Sequence, residues 1–412
     1  MPGAVDGEIS ILRRVREGAA TLAAVIRPSL SAPLCLALLA AAGQTLAQGV
    51  DARGSAPGAT PGAAATRDAR RAAGAEETEQ KRAPWRGSTL LFDQSVTTQT
   101  LGLGQDYQSR NDLYEWWFAF KPRYFLLDNE KEALSVNLWM NLYLEFTNSD
   151  TTTTRREPVI GPTTLWASYA YTFYEQNGYR TAVSVGPWLT LPTDRAARNA
   201  GQLFGLGATG SATQSLPLAR PGATALTSMR LGISTIFVHP FNWATTPVNG
   251  DIEQLRQDVA GRSIVSDQLR PGMNVANSLT LLFTTGVQLL PRLGFGVSYV
   301  LANSWTYAPK DVPICTVQPT CTEPASIGEP ASFRVRTWAL ASLDYDAFDE
   351  MTVSLGYYNL TSQLGPDGQR RNPLYSPDAR FFLTLTGNLD VIYDRLTTRT
   401  KPAPPTETQA RR

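Results

Sequence analysis

The sequence predicts an all-β protein, a closed antiparallel transmembrane β-barrel of about twelve strands with long loops at one end and short turns at the other. A side-chain alternation recurs from Trp85 onward. The connections between strands alternate between tight turns and long loops, for which a soluble β-sandwich has no reason. Outward aromatic residues gather near both strand ends and leave an aliphatic band between them.

The alternation is clearest in residues 132–146, EALSVNLWMNLYLEF. Every second residue from Leu134 to Phe146 is apolar, and the residues between them are polar or amphipathic. Because successive side chains of a strand point to opposite faces, this strand lies between an oily medium and a polar one. It is also longer than the roughly 9–11 residues that a tilted strand needs to cross a bilayer.

Three segments flank or precede the predicted barrel, which occupies residues 87–396. Residues 1–47 predict an export signal peptide, because basic residues precede a short apolar run that contains Cys35, and a small-residue cleavage pattern ends at Ala47. Residues 48–86 are rich in Ala, Gly, Pro and Arg and predict a disordered linker, with a plug inside the barrel as the alternative. Residues 397–412 form a polar tail.

Twelve strands are predicted, at residues 88–96, 113–124, 132–146, 163–174, 180–191, 202–215, 224–238, 277–289, 293–305, 332–346, 351–361 and 378–393. The Gly-rich segment 202–215 is the weakest of them. We include it because a closed bacterial barrel with both ends on one side of the membrane needs an even number of strands.

Turn lengths and aromatic positions support one orientation of these strands. Tight turns are predicted at Asp128, Asn177, Pro291 and Phe348, and long loops at Asp150, Arg195, Gln257, Cys315 and Gly365. Outward aromatic residues near the turns are Tyr124, Phe173, Tyr345 and Tyr393, and those near the loops are Tyr114, Trp116, Phe146, Phe237, Phe333, Tyr357 and Phe381. Two such girdles are typical of the two interfaces of a bilayer.

Residues 85–396 resemble the outer-membrane β-barrel proteins of double-membraned bacteria. The segment 192–198, PTDRAAR, followed by 204–207, FGLG, is similar to a stretch in uncharacterised members of this class. The resemblance implies a fold, an outer-membrane location and two partners, the membrane lipid and the barrel-assembly machinery, but no solute. Such barrels usually end on an aromatic residue, and Tyr393 is the internal candidate here.

Composition limits the chemistry that the chain can perform. A formal net charge of +1 argues against a nucleic-acid partner. The single histidine, His239, leaves little material for a zinc site or acid–base catalysis, so we predict no cofactor and no metal. By resemblance, an outer-membrane phospholipase needs a Ser–His pair, and the residues after His239 are Pro240, Phe241 and Asn242. We therefore expect His239 to be interfacial.

Aromatic residues recur in the inward register of four consecutive strands. The predicted lumen strip is Trp117, Trp139, Tyr143, Trp166 and Trp188. Such a strip could stack sugars or pass apolar solutes, or its tryptophans could simply fill space inside the barrel.

Inward charges are segregated along the sequence. The predicted acidic wall is Asp93, Glu115 and Glu145, and the predicted basic wall is Arg230, Arg334, Arg336 and Arg380. Opposite walls of opposite sign would create a field across a pore, whereas buried ion pairs would hold a closed barrel together. The sequence does not separate these alternatives.

Cys315 and Cys321 flank the segment TVQPT in a predicted loop. In an oxidising compartment such a pair predicts a disulfide that staples the loop, with a metal-binding pair as the minor alternative.

The function that follows from the sequence is a narrow passive channel for small solutes. The alternatives are a structural or adhesive barrel that acts through its external loops and, less favoured, a lipid hydrolase.

Overall fold

The computed structural model describes residues 83–98, 100–103, 113–147, 158–218, 225–246, 253–257, 263–267, 273–308, 314–315, 321–322, 332–362, 370–376 and 379–400. The predicted signal peptide, residues 48–82 of the predicted linker and the tail beyond residue 400 lie outside these ranges.

One large antiparallel sheet dominates the described chain. Its strands are β1 (Thr89–Thr97), β2 (Tyr114–Lys121), β3 (Arg123–Asp128), β4 (Glu132–Glu145), β5 (Pro158–Ile160), β6 (Thr163–Gln176), β7 (Tyr179–Leu191), β8 (Gln202–Pro217), β9 (Ser228–Asn242), β12 (Val275–Leu290), β13 (Leu293–Thr306), β16 (Phe333–Phe348), β17 (Met351–Ser362) and β18 (Arg380–Asn388). The remaining strands, β10 (Glu253–Gln257) with β11 (Ser263–Asp267) and β14 (Ile314–Cys315) with β15 (Cys321–Thr322), form two separate ladders. The helices are α1 (Arg195–Asn199) and α2 (Leu389–Thr400).

The sheet closes because its first strand, β1, pairs with its last, β18, along the full length of β1. Strands β2 and β3 share one position in the wall, and β5 and β6 share another, since each pair lies along β4. Fourteen strands therefore make a barrel of twelve positions, which confirms the predicted number. The doubtful Gly-rich strand is β8, which pairs with both β7 and β9.

Short connections gather at one end of the barrel, which we call the turn end, and long ones at the other, the loop end. Three hairpins have two-residue connections, and the one from β6 to β7 runs through Asn177 and Gly178, whose φ angles are 52° and 80°. Both residues tolerate the left-handed region, so this sequence suits a tight two-residue hairpin turn. The connection between β8 and β9, residues 218–227, is the longest at the turn end.

The second predicted strand, residues 113–124, is interrupted at Pro122. Strand β2 ends at Lys121 and β3 begins at Arg123. Proline has no N–H to donate to a ladder, so the wall breaks there, while the Pro122 carbonyl still accepts from the Leu138 N–H at 3.1 Å.

The last predicted strand, residues 378–393, is wrong in its second half. Strand β18 ends at Asn388, and α2 follows at once. Leu389, Tyr393 and Leu396 recur at a spacing of three to four residues, which suits a helix rather than a strand. Tyr393 therefore lies on a helix and not at a strand end.

The outer surface carries the apolar residues that lipid requires. Tyr124, Phe173 and Tyr345 are exposed near the turn end, and Phe333 and Phe381 are exposed near the loop end. At the loop end, Trp116 also packs edge-to-face on Phe146, with ring centroids 4.7 Å apart. Together with the even strand number and segregated loops, this is the porin-like architecture of outer-membrane β-barrels.

Candidate functional site

The inward side chains divide the barrel into two arcs. In the closed arc, formed by β13, β16, β17, β18, β1, β2 and β4, most inward residues are buried. In the open arc, formed by β6, β7, β8, β9 and β12, the inward residues at the strand centres stay half-exposed. Register identifies the inward face, because residues directly opposite each other in a ladder share one face of the sheet.

The closed arc is filled by large side chains that pack on one another. One cluster joins Trp117 to Leu91 and Ala119. Others are built around Trp338 and around Phe382, whose ring lies against the bare Cα of Gly356. Side chains thus occupy this half of the lumen.

Buried charges and hydroxyls also belong to the closed arc. Arg380 Nη1 lies 3.1 Å from Glu115 Oε1, and both side chains are largely buried. Thr384 donates a hydrogen bond to the Asp93 carboxylate, and Thr147 donates one to Glu145 at 2.5 Å. These bonds satisfy carboxylates that would be costly to bury alone.

The predicted walls of opposite charge face each other across the lumen only in part. Because β1 pairs with β18, Arg380 neighbours Asp93 and Glu115 instead of opposing them. Arg334 and Arg336 lie on β16, two positions from β18 and in the same arc. Arg230 lies on β9 in the open arc, six of the twelve positions from Asp93 on β1 and so on the opposite side of the barrel.

The predicted aromatic strip consists of two separate groups. In the first, Trp117 stacks on Tyr143 with centroids 6.0 Å apart and planes at 7°, and it lies 6.5 Å from Trp139. Lys121 covers this group, with its Nζ 4.5 Å from the centroid of Trp139. Trp117 also donates to Asn141 at 3.0 Å. This first group belongs to the packed closed arc.

The second group is the stacked pair of Trp166 on β6 and Trp188 on β7. Their centroids are 5.2 Å apart, their planes meet at 26°, and both rings are half-exposed. Trp188 donates its Nε1 proton to Thr190 at 3.1 Å, which fixes the ring on the wall. This pair stands at the margin of the open arc.

Small and hydroxyl-bearing side chains make up most of the remaining lining of the open arc, in which Ile236, Val238 and Leu282 are the larger apolar residues. The inward residues at its strand centres include Ser168, Ser184, Gly186, Gly207, Thr209, Ser211, Thr213, Gly232, Ser234, Thr280, Thr284 and Gly286. The Ser184 and Ser211 hydroxyls are hydrogen-bonded across the ladder at 2.8 Å. Sequence reasoning missed this lining, although the inward register of the Gly-rich strand already carried it.

The inward charged residues of the open-arc strands stand at the turn end. Arg180 and Arg230 flank Ser215 in register on three adjacent strands. Arg180 donates to Thr172 at 3.3 Å and lies 3.9 Å from Glu175.

At the loop end, the connection from β7 to β8 carries α1 and lies within the segment named for its resemblance. Asp194 caps this helix by accepting from the Ala197 N–H at 3.0 Å. Thr193 donates to the Gly161 carbonyl at 2.7 Å, and Asn274 donates to the Ala200 carbonyl at 2.6 Å. The loop is thereby tied to the β5–β6 break on one side and to the start of β12 on the other.

At the turn end, residues at both termini of the barrel meet. Trp85 packs edge-to-face on Tyr393 with centroids 5.1 Å apart, and Leu389 N–H donates to the Ser88 carbonyl at 3.0 Å. Arg86 pairs with Asp128. A cavity of about 360 Å³ beside Trp85 is lined by outward residues such as Phe120 and Val136 and so lies on the outer surface. Residues 83–86 of the predicted linker are therefore part of the folded rim.

The remaining predicted residues lie at the loop end. Cys315 and Cys321 are direct partners in the ladder of β14 and β15, and their side chains lie outside what the structure describes. The disulfide stays a prediction. His239 Nδ1 lies 2.8 Å from Asn277 Oδ1, and its ring packs edge-to-face on Phe241 at 4.8 Å.

Two further observations concern the described ranges alone. No helix within them is long and apolar enough to span a membrane. They bring together no group of three or more His, Cys, Asp or Glu side chains that could hold a metal ion.

No protein-family model matches the sequence, and no curated protein matches it. Among solved structures, an outer membrane channel from Pseudomonas putida F1 is 9% identical, and the alignment covers 76% of this chain and 99% of that chain with a TM-score of 0.42. The NanC porin is 10% identical over 73% of this chain and 98% of that chain, with a TM-score of 0.31. OprD of Pseudomonas aeruginosa is 10% identical, and the alignment covers 75% of this chain and 97% of that chain with a TM-score of 0.29. Similarity this low does not carry a solute from one protein to another.

Proposed function

We propose that this barrel is a narrow passive channel through which small solutes cross the bacterial outer membrane. The observation that carries the proposal is the open arc, where inward residues on five adjacent strands remain half-exposed. Side chains can just fill a barrel of about eight strands, whereas barrels of about sixteen leave an aqueous pore. A twelve-position barrel whose packing is confined to one side leaves a path along the other.

The lining of this path supports a passive role. Small hydroxyl groups on β7 and β8 offer weak, exchangeable hydrogen bonds to water and to polar solutes. A solute crosses readily only when it is held weakly enough to leave again. The closed arc, with its buried Arg380–Glu115 pair, would then keep the wall rigid while the open arc conducts.

The outer-membrane location belongs to the same proposal. It is supported by the apolar outer surface, by the turn and loop ends, and by the signal peptide predicted in residues 1–47. The turn end would face the periplasm. Fractionation of cells that express the full chain should place the mature protein, cut near Ala47, with outer-membrane markers.

The loop-end location also makes the Cys315–Cys321 disulfide part of the proposal, because the exterior is oxidising. Their direct pairing in the β14–β15 ladder supports a bridge at that position. The loop peptide from unreduced protein should lack both thiol hydrogens in a mass spectrum. Two free thiols, alkylated without prior reduction, would contradict the bridge.

Planar lipid bilayers test the channel directly. Refolded protein should give discrete openings in KCl, both as the full mature chain and without residues 48–82. If only the truncated chain opens, the linker acts as a plug. If neither chain opens, the channel proposal fails, and a barrel that acts through its loops becomes the better account.

For His239 we propose an interfacial structural role without catalysis. Its hydrogen bond joins it to the Asn277 amide and its ring lies on Phe241, an arrangement that suits a strand end at a membrane interface. Phospholipid hydrolysis should be the same for the parent and for His239→Ala. A rate that the substitution lowers would restore the hydrolase interpretation.

A further inference from the structure

We propose that the stacked Trp166–Trp188 pair is a binding platform for uncharged, hydroxylated ring solutes of monosaccharide size. This inference rests on the proposed channel and names the class of solute that the channel favours.

The first step is that the pair is available from the lumen. Both rings are half-exposed, and the strands that follow them around the open arc present mostly Gly, Ser and Thr. By contrast, Trp117 is buried and Lys121 lies over Trp139. Within the described residues, no cation and no third ring lies against Trp166 or Trp188. The group around Trp117 fills the lumen. The Trp166–Trp188 pair does not, so its exposure needs another explanation.

The second step is the shape of the surface. The two indoles stack with centroids 5.2 Å apart and planes 26° apart, so each ring covers one face of the other, and the half-exposed outer surface of the stack, which we call the plate, is apolar. The Trp188 Nε1–H bond to Thr190 holds one indole in place before any solute arrives, which lowers the ordering cost of binding. A flat plate of this kind suits a ring that has an apolar face.

The third step is the chemistry around the plate. Thr190, Thr209, Ser184 and Ser211 are inward residues of the same or the adjacent strand, so hydroxyl partners surround the stacking surface. Each of them already has one partner in the wall: Ser184 and Ser211 bond to each other, Thr190 accepts from Trp188, and Thr209 donates to the Thr235 carbonyl. A hydroxyl has one donor and two acceptor sites, so each keeps capacity for a further bond to a polar solute. Among the inward residues of the open-arc strands, the charged Arg180 and Arg230 stand at the turn end, away from the plate, and the charges nearest to Thr190 along the chain are Asp194 and Arg195, in the connection that carries α1. A pyranose ring satisfies both requirements, since its C–H face is apolar and its rim is hydroxylated.

The test compares glucose with sorbitol in the planar bilayer. The two solutes have similar mass and hydroxyl content and raise viscosity alike, but only glucose offers a closed ring face. At equal concentration, glucose should reduce the KCl current of the parent more than sorbitol does. The double variant Trp166→Ala/Trp188→Ala should raise the glucose concentration needed for half of that extra reduction by about two- to tenfold, as expected for lost aromatic contact.

Trp116→Ala serves as the matched control, because Trp116 lies on the outer surface. It should keep the parent's difference between glucose and sorbitol. Equal effects of the two sugars on the parent would overturn the inference and leave the channel standing, and this comparison needs no variant to fold. A glucose effect that survives loss of both tryptophans would also overturn it. Absence of any KCl current would instead reject the channel itself.

Discussion

The contact between Arg380 and Glu115 shows how closure of the barrel determines the surroundings of a single residue. The two residues are 265 positions apart in the chain, and their side chains lie 3.1 Å apart because β1 joins β18 to β2. The alternation of side chains in the sequence shows which residues face inward. It does not show which of them become neighbours where β1 pairs with β18 and closes the barrel. That is why Arg380 and Glu115, two charges predicted on opposite walls, prove to be adjacent.

Removing the charge of Glu115 should therefore destabilise the barrel. Glu115→Gln leaves the Arg380 guanidinium largely buried beside a neutral amide, and we expect a loss of about 1–3 kcal/mol in the free energy of unfolding. Urea unfolding in phospholipid vesicles measures it. Glu175→Gln is the control, because the Glu175–Arg180 pair is exposed and its contribution should not exceed roughly 1 kcal/mol. Equal losses for both variants would contradict a structural role of the buried pair.

Gly356 allows the closed arc to pack as it does. A Cβ at this position would overlap the Phe382 ring and would lie 2.5 Å from the Ala341 carbonyl oxygen, so neither neighbour could yield cheaply. Gly356→Ala should cost about 1–3 kcal/mol in the free energy of unfolding, as overpacking usually does. Gly294→Ala is the matched control, since its nearest neighbour would be 3.7 Å away. A neutral Gly356→Ala would show that the arc is loosely packed.

At the scale of elements, the strands were predictable because lipid on one side enforces a period of two along each of them. The exceptions have local causes. Pro122 interrupts a ladder by lacking an N–H, and the apolar spacing changes from two to three or four after Asn388, where α2 begins. In the predicted strand 378–393, the residues after Asn388 form a short, mainly apolar run, and such a run suits a strand or a helix equally well.

The α2 helix should be held to the rim by its contact with the chain that enters the barrel. Trp85 and Tyr393 pack edge-to-face at 5.1 Å, so Trp85→Ala and Tyr393→Ala should be coupled in a double-mutant cycle. We expect an interaction free energy of about 0.5–1.5 kcal/mol in urea unfolding. Strictly additive effects of the two substitutions would mean that the ring contact contributes nothing to stability.

For the whole molecule, the closed sheet follows from the need to satisfy every backbone group inside lipid, and the apolar exterior follows from contact with the lipid. The division of the lumen into a closed and an open arc does not follow from that requirement. It depends on which inward side chains meet once the barrel has closed, as when one tryptophan group packs beneath Lys121 and the other stays half-exposed. The fold class of the protein could therefore be predicted from its sequence, whereas the position of the proposed conducting path could not.

The central claim, that water and solutes follow the open arc, is tested most directly by a charged thiol reagent during planar-bilayer recording. Ser211 and Ala212 are consecutive on β8 and face opposite sides of the wall, because Ser211 pairs with Ser184 and Ala212 with Val183. In a background with Cys315 and Cys321 replaced by Ala, the reagent should lower the conductance of Ser211→Cys and leave that of Ala212→Cys unchanged. An unaffected Ser211→Cys channel that nevertheless conducts in KCl would contradict a path along the open arc.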